Sequence, residues 1–246
     1  MKRLHWQILF GLSLIVLSVL LYLIHYAFFR DSHHIFIYLI GDIAFLPIQV
    51  LLVTMIIDQL LSRREKRAML NKLNMVIGAF FSEVGTRLLK SFYEFGANNN
   101  QIRKELFENN DWSNKTFSNM NKRLKDYDYP IESRKGDLEG LKSFLIRKRD
   151  FLLGLLENPN LLEHESFTDL LWAVFHLTEE LVYRDNIRQL PNTDYEHLSS
   201  DIKRAYVLLL FEWLAYMKHL RGNYPYLFSL AVRMNPFNPN ASPIVK

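Results

Sequence analysis

Asp42 is a carboxylate set within an apolar stretch, Ile35 to Ile57, that carries no other formal charge. A charge held in hydrocarbon costs about 2.5–3.5 kcal/mol on insertion scales, so such groups face a bundle interior, a partner or a wet path. Gln49 follows seven residues later, two helical turns on, and so projects from roughly the same helix face. In the preceding apolar stretch, Gly11, Ser18 and His25 repeat at the same interval. A tight antiparallel turn near Ser32 would bring Tyr22 and His25 within about one helical turn of Asp42, judged from the 1.5 Å rise per residue. Ser18, Tyr22, His25, Asp42 and Gln49 therefore read as a polar seam. Two chemistries suit it. Asp42, protonated or hydrogen-bonded to Tyr22 or His25, could fix helix register. Alternatively, several copies around an axis could line an ion or proton path with Asp42 and Gln49, since a single hairpin encloses no pore. His33 and His34 beside Asp31 add a titratable group at the turn, without the spacing of a metal-ligand set.

A second constellation lies further along. Glu212 interrupts an apolar run, His176 interrupts Leu170 to Leu177, Glu180 shares the His176 segment, and Glu83 follows Ala79-Phe80-Phe81-Ser82. Histidines and carboxylates on facing helices can hold two metal ions, and the diagnostic spacing is Glu-x-x-His on two of them. Here His176-x-x-Glu179 is reversed, and Glu212 precedes His219 by too long an interval. Glu83 also has Arg87 four residues on as an ion-pair partner. Glu83, His176, Glu180 and Glu212 are thus candidates for a metal-binding bundle, against the alternative of hydrogen-bonded core polar groups. No phosphate-cradling glycine loop, nucleophile elbow or His-Glu-x-x-His pair occurs, so no catalytic residue is assigned and no cofactor is implied. The absence of cysteine excludes disulfides, thiolate catalysis and cysteine zinc sites.

The elements that position these residues follow from hydropathy. Trp6 to Phe29 and Ile35 to Ile57 are each long enough to cross a bilayer core, which takes about 20 apolar residues. Residues 1–58 are therefore expected to form a transmembrane hairpin. The first stretch is longer than a signal-peptide core and closes without a small-x-small site, so a retained anchor is expected. Lys2 and Arg3 precede the hairpin, and Arg63, Arg64, Lys66 and Arg67 follow it, whereas Arg30 in the turn is opposed by Asp31. Basic flanks stay on the cytoplasmic side, which predicts a multi-pass protein of the plasma membrane with both termini inside. The same six basic residues would meet the anionic inner leaflet, at roughly 1 kcal/mol for each well-placed side chain.

Residues 59–234 read as a cytoplasmic helical bundle. Only Lys2, Arg3 and Arg30 of the 30 basic residues, and Asp31 and Asp42 of the 26 acidic ones, precede residue 58, leaving 27 against 24 from residue 58 onward. That balance argues against nucleic acid as a partner. No proline falls between Pro47 and Pro130, so the second span is expected to continue as the first bundle helix. Leu70, Leu73, Ile77, Phe80, Val84 and Leu88 mark its buried face. Gly78, Ser82 and Gly85 form a line of small residues suited to close helix packing, within the bundle or between copies in a homo-oligomer.

The stretch 96–136, rich in asparagine, reads as a polar excursion with one short helix over Ser113–Lys125, and as the docking place for a cytoplasmic protein partner. Three helices follow. The first carries Leu138 to Leu155 and stops at Pro159. The second opens on a capping-box pattern, Ser166 to Asp169, and the third on Thr193 to Glu196. Pro225 can open a short last helix, and residues 235–246 read as a loose proline-rich tail. Ala205 to Met217 is too short to span and is expected to be a core helix. The fold class is all-α with an antiparallel bundle. The functional expectation is a non-enzymatic, membrane-tethered sensing or scaffolding module, with an ion channel and a metalloprotein as its competitors.

Overall fold

The computed structural model describes residues 2–96, 100–106, 112–161 and 164–245, apart from some side chains within helices. Among the described residues there is no strand, only an isolated antiparallel bridge between Gly96 and Ile131. The chain is all-helical and divides into two units, Met1–Lys66 and Arg67–Lys246.

The first unit holds α1 (Lys2–Phe29) and the opening of α2 (Ser32–Phe80). Arg30 ends α1 in the left-handed region, at φ 49°, and its N–H donates to the Tyr26 carbonyl. A left-handed residue at this point is a common way for a helix to stop. Asp31 then caps α2, its Oδ1 accepting the His33 N–H at 2.9 Å. Both helices carry stretches long and apolar enough to cross a membrane. No described residue of this unit is buried.

The second unit begins with the remainder of α2. A π-helical turn, Phe81–Gly85, follows, and then α3 (Thr86–Glu94). Thr86 closes that turn, its N–H and its hydroxyl both donating to the Phe81 carbonyl five residues back. One extra residue per turn rotates the apolar face, so Phe80 and Phe81, and likewise Leu88 and Leu89, all point into the core. Leu70 remains exposed, unlike the rest of the periodic set.

Next come α4 (Asn100–Leu106), α5 (Asn114–Lys125), α6 (Leu138–Leu156), α7 (Glu165–Val182), α8 (Asn192–Asn223) and α9 (Pro225–Arg233). The 32-residue α8 is the central element, packed against α3, α5, α7 and α9. α7 lies between α6 and α8, and short connections make these three neighbours antiparallel. Ala205, Tyr206, Leu209, Leu210, Trp213, Leu214 and Met217 of α8 are buried, as befits a core helix.

Several local expectations are corrected. The described part of 96–136 is no loose excursion. Ile102, Leu106, Trp112, Phe117, Met120, Leu124 and Tyr129 belong to the core, and their bulk outweighs the polar residues between them. Residues 97–99 and 107–111 lie outside the described set. The tail is pinned at its start, where Asn235 donates to the Leu106 carbonyl and Phe237 sits edge-on to Tyr93 and Trp213. α7 begins one residue before Ser166, and His164 caps it, Nδ1 accepting the Phe167 N–H at 3.2 Å. α8 begins at Asn192, one residue before Thr193, and its N-cap is Pro191, whose ring offers no side-chain acceptor.

Tyr206 is fully buried on α8, its hydroxyl has no hydrogen-bond partner, and burial pushes its pKa well above the usual value. A desolvated, unbonded hydroxyl costs free energy, so its removal relieves the fold. Tyr206→Phe is expected to leave stability unchanged or raise it by about 1 kcal/mol. Urea unfolding of the detergent-solubilised chain measures this, and a clear loss would contradict it.

Candidate functional site

Within the first unit, Ser18, Tyr22 and His25 of α1 and Tyr38 and Asp42 of α2 line one groove of about 580 Å³, walled otherwise by Leu14, Leu17, Leu21 and Ile35. Gln49 is not among its lining residues. His25 Nδ1 is buried without a hydrogen-bond partner, and the ring packs on Phe29 at 4.8 Å. Arg63, Arg64 and Lys66 are exposed, while the side chains of Lys2, Arg3 and Arg67 lie outside the described set. His33 is exposed, and the His34 side chain is likewise not described.

The small-residue line is divided between the interior and the surface of its unit. Gly78 faces Tyr216 of α8, where a Cβ would meet the hydroxyl at 3.4 Å, and Tyr216 stacks on Phe81 at 4.9 Å. Gly85 is buried against the rings of Phe80 and Phe81, whereas Ser82 is exposed.

The four acidic and histidine candidates do not come together as one group. Glu83 is exposed and pairs with Lys148 at 2.7 Å rather than with Arg87, which instead lies over the Phe144 ring. Glu212 is buried in α8 and accepts the hydroxyl of Ser166, which satisfies it as a core polar group. His176 and Glu180 meet a different pair, His197 and Asp201. One turn of α7 presents His176 and Glu180, and the facing turn of α8 presents His197 and Asp201.

Asp201 is the buried centre of this cluster, with 3 % of its side chain exposed. Its Oδ2 accepts no hydrogen bond, yet His197 Nε2 lies 3.3 Å away and His176 Nε2 3.5 Å. Glu180 Oε2 stands 3.5 Å from His197 Nε2, and Glu180 Oε1 stands 3.9 Å from His176 Nε2. Behind it, Arg184 donates to Glu180 Oε2 at 2.6 Å and forks onto both Asp194 oxygens at 2.8 and 2.7 Å. That guanidinium holds the carboxyls of Glu180 and Asp194 below their ordinary range. Sequence reading overlooked His197 and Asp201. The available signal was a histidine four residues before a carboxylate on two neighbouring helices, His176 with Glu180 and His197 with Asp201.

The protein described as Uncharacterized protein MJ1433, from Methanocaldococcus jannaschii, is 47% identical over 241 residues, covering 98% of this chain and 96% of that protein. Residues 2–61 match the family described as the MJ1433 N-terminal helical domain, and residues 69–233 the MJ1433 C-terminal helical domain. The chain belongs to the MJ1433 family. The division between the two MJ1433 domains falls beside the division of this structure at Lys66 and Arg67. No solved structure matches the chain.

Proposed function

We propose that this is a multi-pass membrane protein whose hairpin, within residues 1–58, anchors a cytoplasmic helical module that senses or scaffolds, without catalysis, as a homo-oligomer. One observation carries the reading. Among the described residues, nearly all apolar side chains of α1 from Leu9 onward and of the first half of α2 are exposed, and none is buried. Soluble proteins rarely expose contiguous apolar patches above a few hundred Å², so this surface calls for lipid or protein around it. The exposed Arg63, Arg64 and Lys66 support contact with an anionic inner leaflet and, by flanking charge, cytoplasmic termini. Exposed Trp172, Tyr183 and Tyr226 support recruitment of a protein partner, since aromatics supply contact area at low entropic cost.

The absence of native cysteine makes topology directly testable. His33→Cys should react with a membrane-impermeant maleimide on intact cells, and Ser118→Cys only after permeabilisation. The protein should also sediment with membranes in high salt and leave them only in detergent. Release by salt alone, or labelling of Ser118→Cys in intact cells, would overturn the reading. The polar groove around Asp42 favours a second reading, an oligomeric ion or proton path. It predicts flux in liposomes that Asp42→Asn alters, and silent liposomes across pH and voltage count against it.

A further inference from the structure

We infer that His176, His197, Asp201 and Glu180 form a binding site for one divalent transition-metal ion, of the zinc class, bridging α7 and α8. The inference stands apart from the membrane reading and concerns the second unit alone.

The geometry carries it. Ligands bonded at 2.0–2.2 Å around a tetrahedral zinc ion lie about 3.3–3.5 Å from one another. His197 Nε2 to Asp201 Oδ2 is 3.3 Å, His176 Nε2 to Asp201 Oδ2 is 3.5 Å, and His197 Nε2 to Glu180 Oε2 is 3.5 Å. The ligand atoms of His176, His197 and Asp201 all fall within 4.8 Å of one another. A bare histidine–aspartate contact would instead close to an aligned hydrogen bond near 2.8 Å. Asp201 Oδ2 has none, although the residue is almost wholly buried. A desolvated carboxylate oxygen without a donor is costly, and a cation seated between it and the two rings removes that cost. Arg204, at 3.6 Å, neighbours the other oxygen, Oδ1, and leaves Oδ2 free for the site.

The ligand chemistry is selective. Two imidazoles and two carboxylates suit zinc and its first-row neighbours, whereas magnesium and calcium favour all-oxygen sets. The His176 and His197 side chains are 45 % and 49 % exposed, so an ion reaches the site from solvent without opening the core. Arg184, itself clamped by Asp194, fixes the Glu180 carboxylate, the kind of outer support that metal-binding carboxylates receive. Because the ligands come from two helices, the ion would staple α7 to α8.

The experiment uses the full chain in detergent, without a polyhistidine tag and stripped with EDTA. Zinc(II) titrated by calorimetry should bind at one ion per chain with sub-micromolar affinity. The His176→Gln/His197→Gln double variant should lose at least 100-fold. Cobalt(II) should give the intense visible absorption of a tetrahedral site in the parent and not in the double variant. Saturating zinc should raise the melting temperature of the parent by about 5–10 °C, as expected for an ion at 100 times its Kd, and leave the double variant unmoved. His164→Gln, a histidine outside the cluster, should bind as the parent does. Both paired histidines are surface-accessible, so the double variant should fold even if Asp201→Asn does not. Zinc binding weaker than millimolar in the parent, or equal binding by the double variant, would overturn the assignment.

Discussion

Phe80→Ala is expected to lower the stability of the second unit by about 3–5 kcal/mol, the range for truncating a large aromatic side chain in a packed core. Phe80 is fully buried and sits edge-on to Phe81 at 5.4 Å and to Phe167 of α7 at 5.3 Å. It thereby joins the π-helical turn to α7, and its loss opens a cavity between elements that cannot collapse independently. Domains are commonly stable by only about 5–15 kcal/mol, so the variant should unfold at much lower urea, with the slope unchanged. Trp112 and Trp213, 6.1 Å apart and both buried, provide a fluorescence signal for that transition. A midpoint close to that of the parent would show that the turn is not held by this contact.

Arg184→Ala should be nearly as damaging, at about 2–4 kcal/mol, because it leaves two half-buried carboxylates facing each other without a counter-charge. Arg184 is 15 % exposed and contacts Glu180, Asp194 and the Glu180 carbonyl across the α7–α8 connection. The pH dependence separates this role from simple packing. Glu180 and Asp194 have folded pKa values held below their unfolded ones, chiefly by hydrogen bonds from Arg184. Their contribution is therefore complete above the unfolded carboxylate range, near pH 4, and is lost as pH falls through the lower folded values. The parent should lose stability steeply below about pH 4, and Arg184→Ala should flatten that part of the curve. Melting temperatures between pH 3 and pH 7 would show the difference, and two parallel curves would refute the assignment. The same variant should weaken zinc binding by about 10–100-fold, the usual effect of removing an outer-shell support.

These residues show what could be read in the sequence and what could not. Period-3.6 patterning located α5 through its Phe117, Met120 and Leu124 stripe, and α6 through Leu138 to Leu155, because both are regular and one-sided. The same rule placed Phe80, Val84 and Leu88 inward but missed Phe81 and Leu89, which the added residue of the Phe81–Gly85 turn brings in alongside them. The capping boxes misled for two reasons: Ser166 found a distant partner in Glu212, and α8 begins at Asn192, which leaves Thr193 inside the helix instead of at its cap. His197 and Asp201 were invisible for a related reason. A pair four residues apart is an ordinary surface feature until a second such pair faces it, and facing is a property of the fold. Polar composition hid the packed character of the described part of 96–136, where a few large apolar residues decide burial.

The Asn235–Leu106 hydrogen bond and the Phe237 ring wedged beside Tyr93 and Trp213 tie residues far apart in sequence. Contacts of such long range form late, since the intervening chain must first be ordered. A ribosome-bound nascent chain that has not yet exposed residue 237 would leave the Tyr93–Trp213 cleft open to water and to chaperones. Stalled-ribosome proteolysis should then show this domain locking abruptly, only as that phenylalanine emerges.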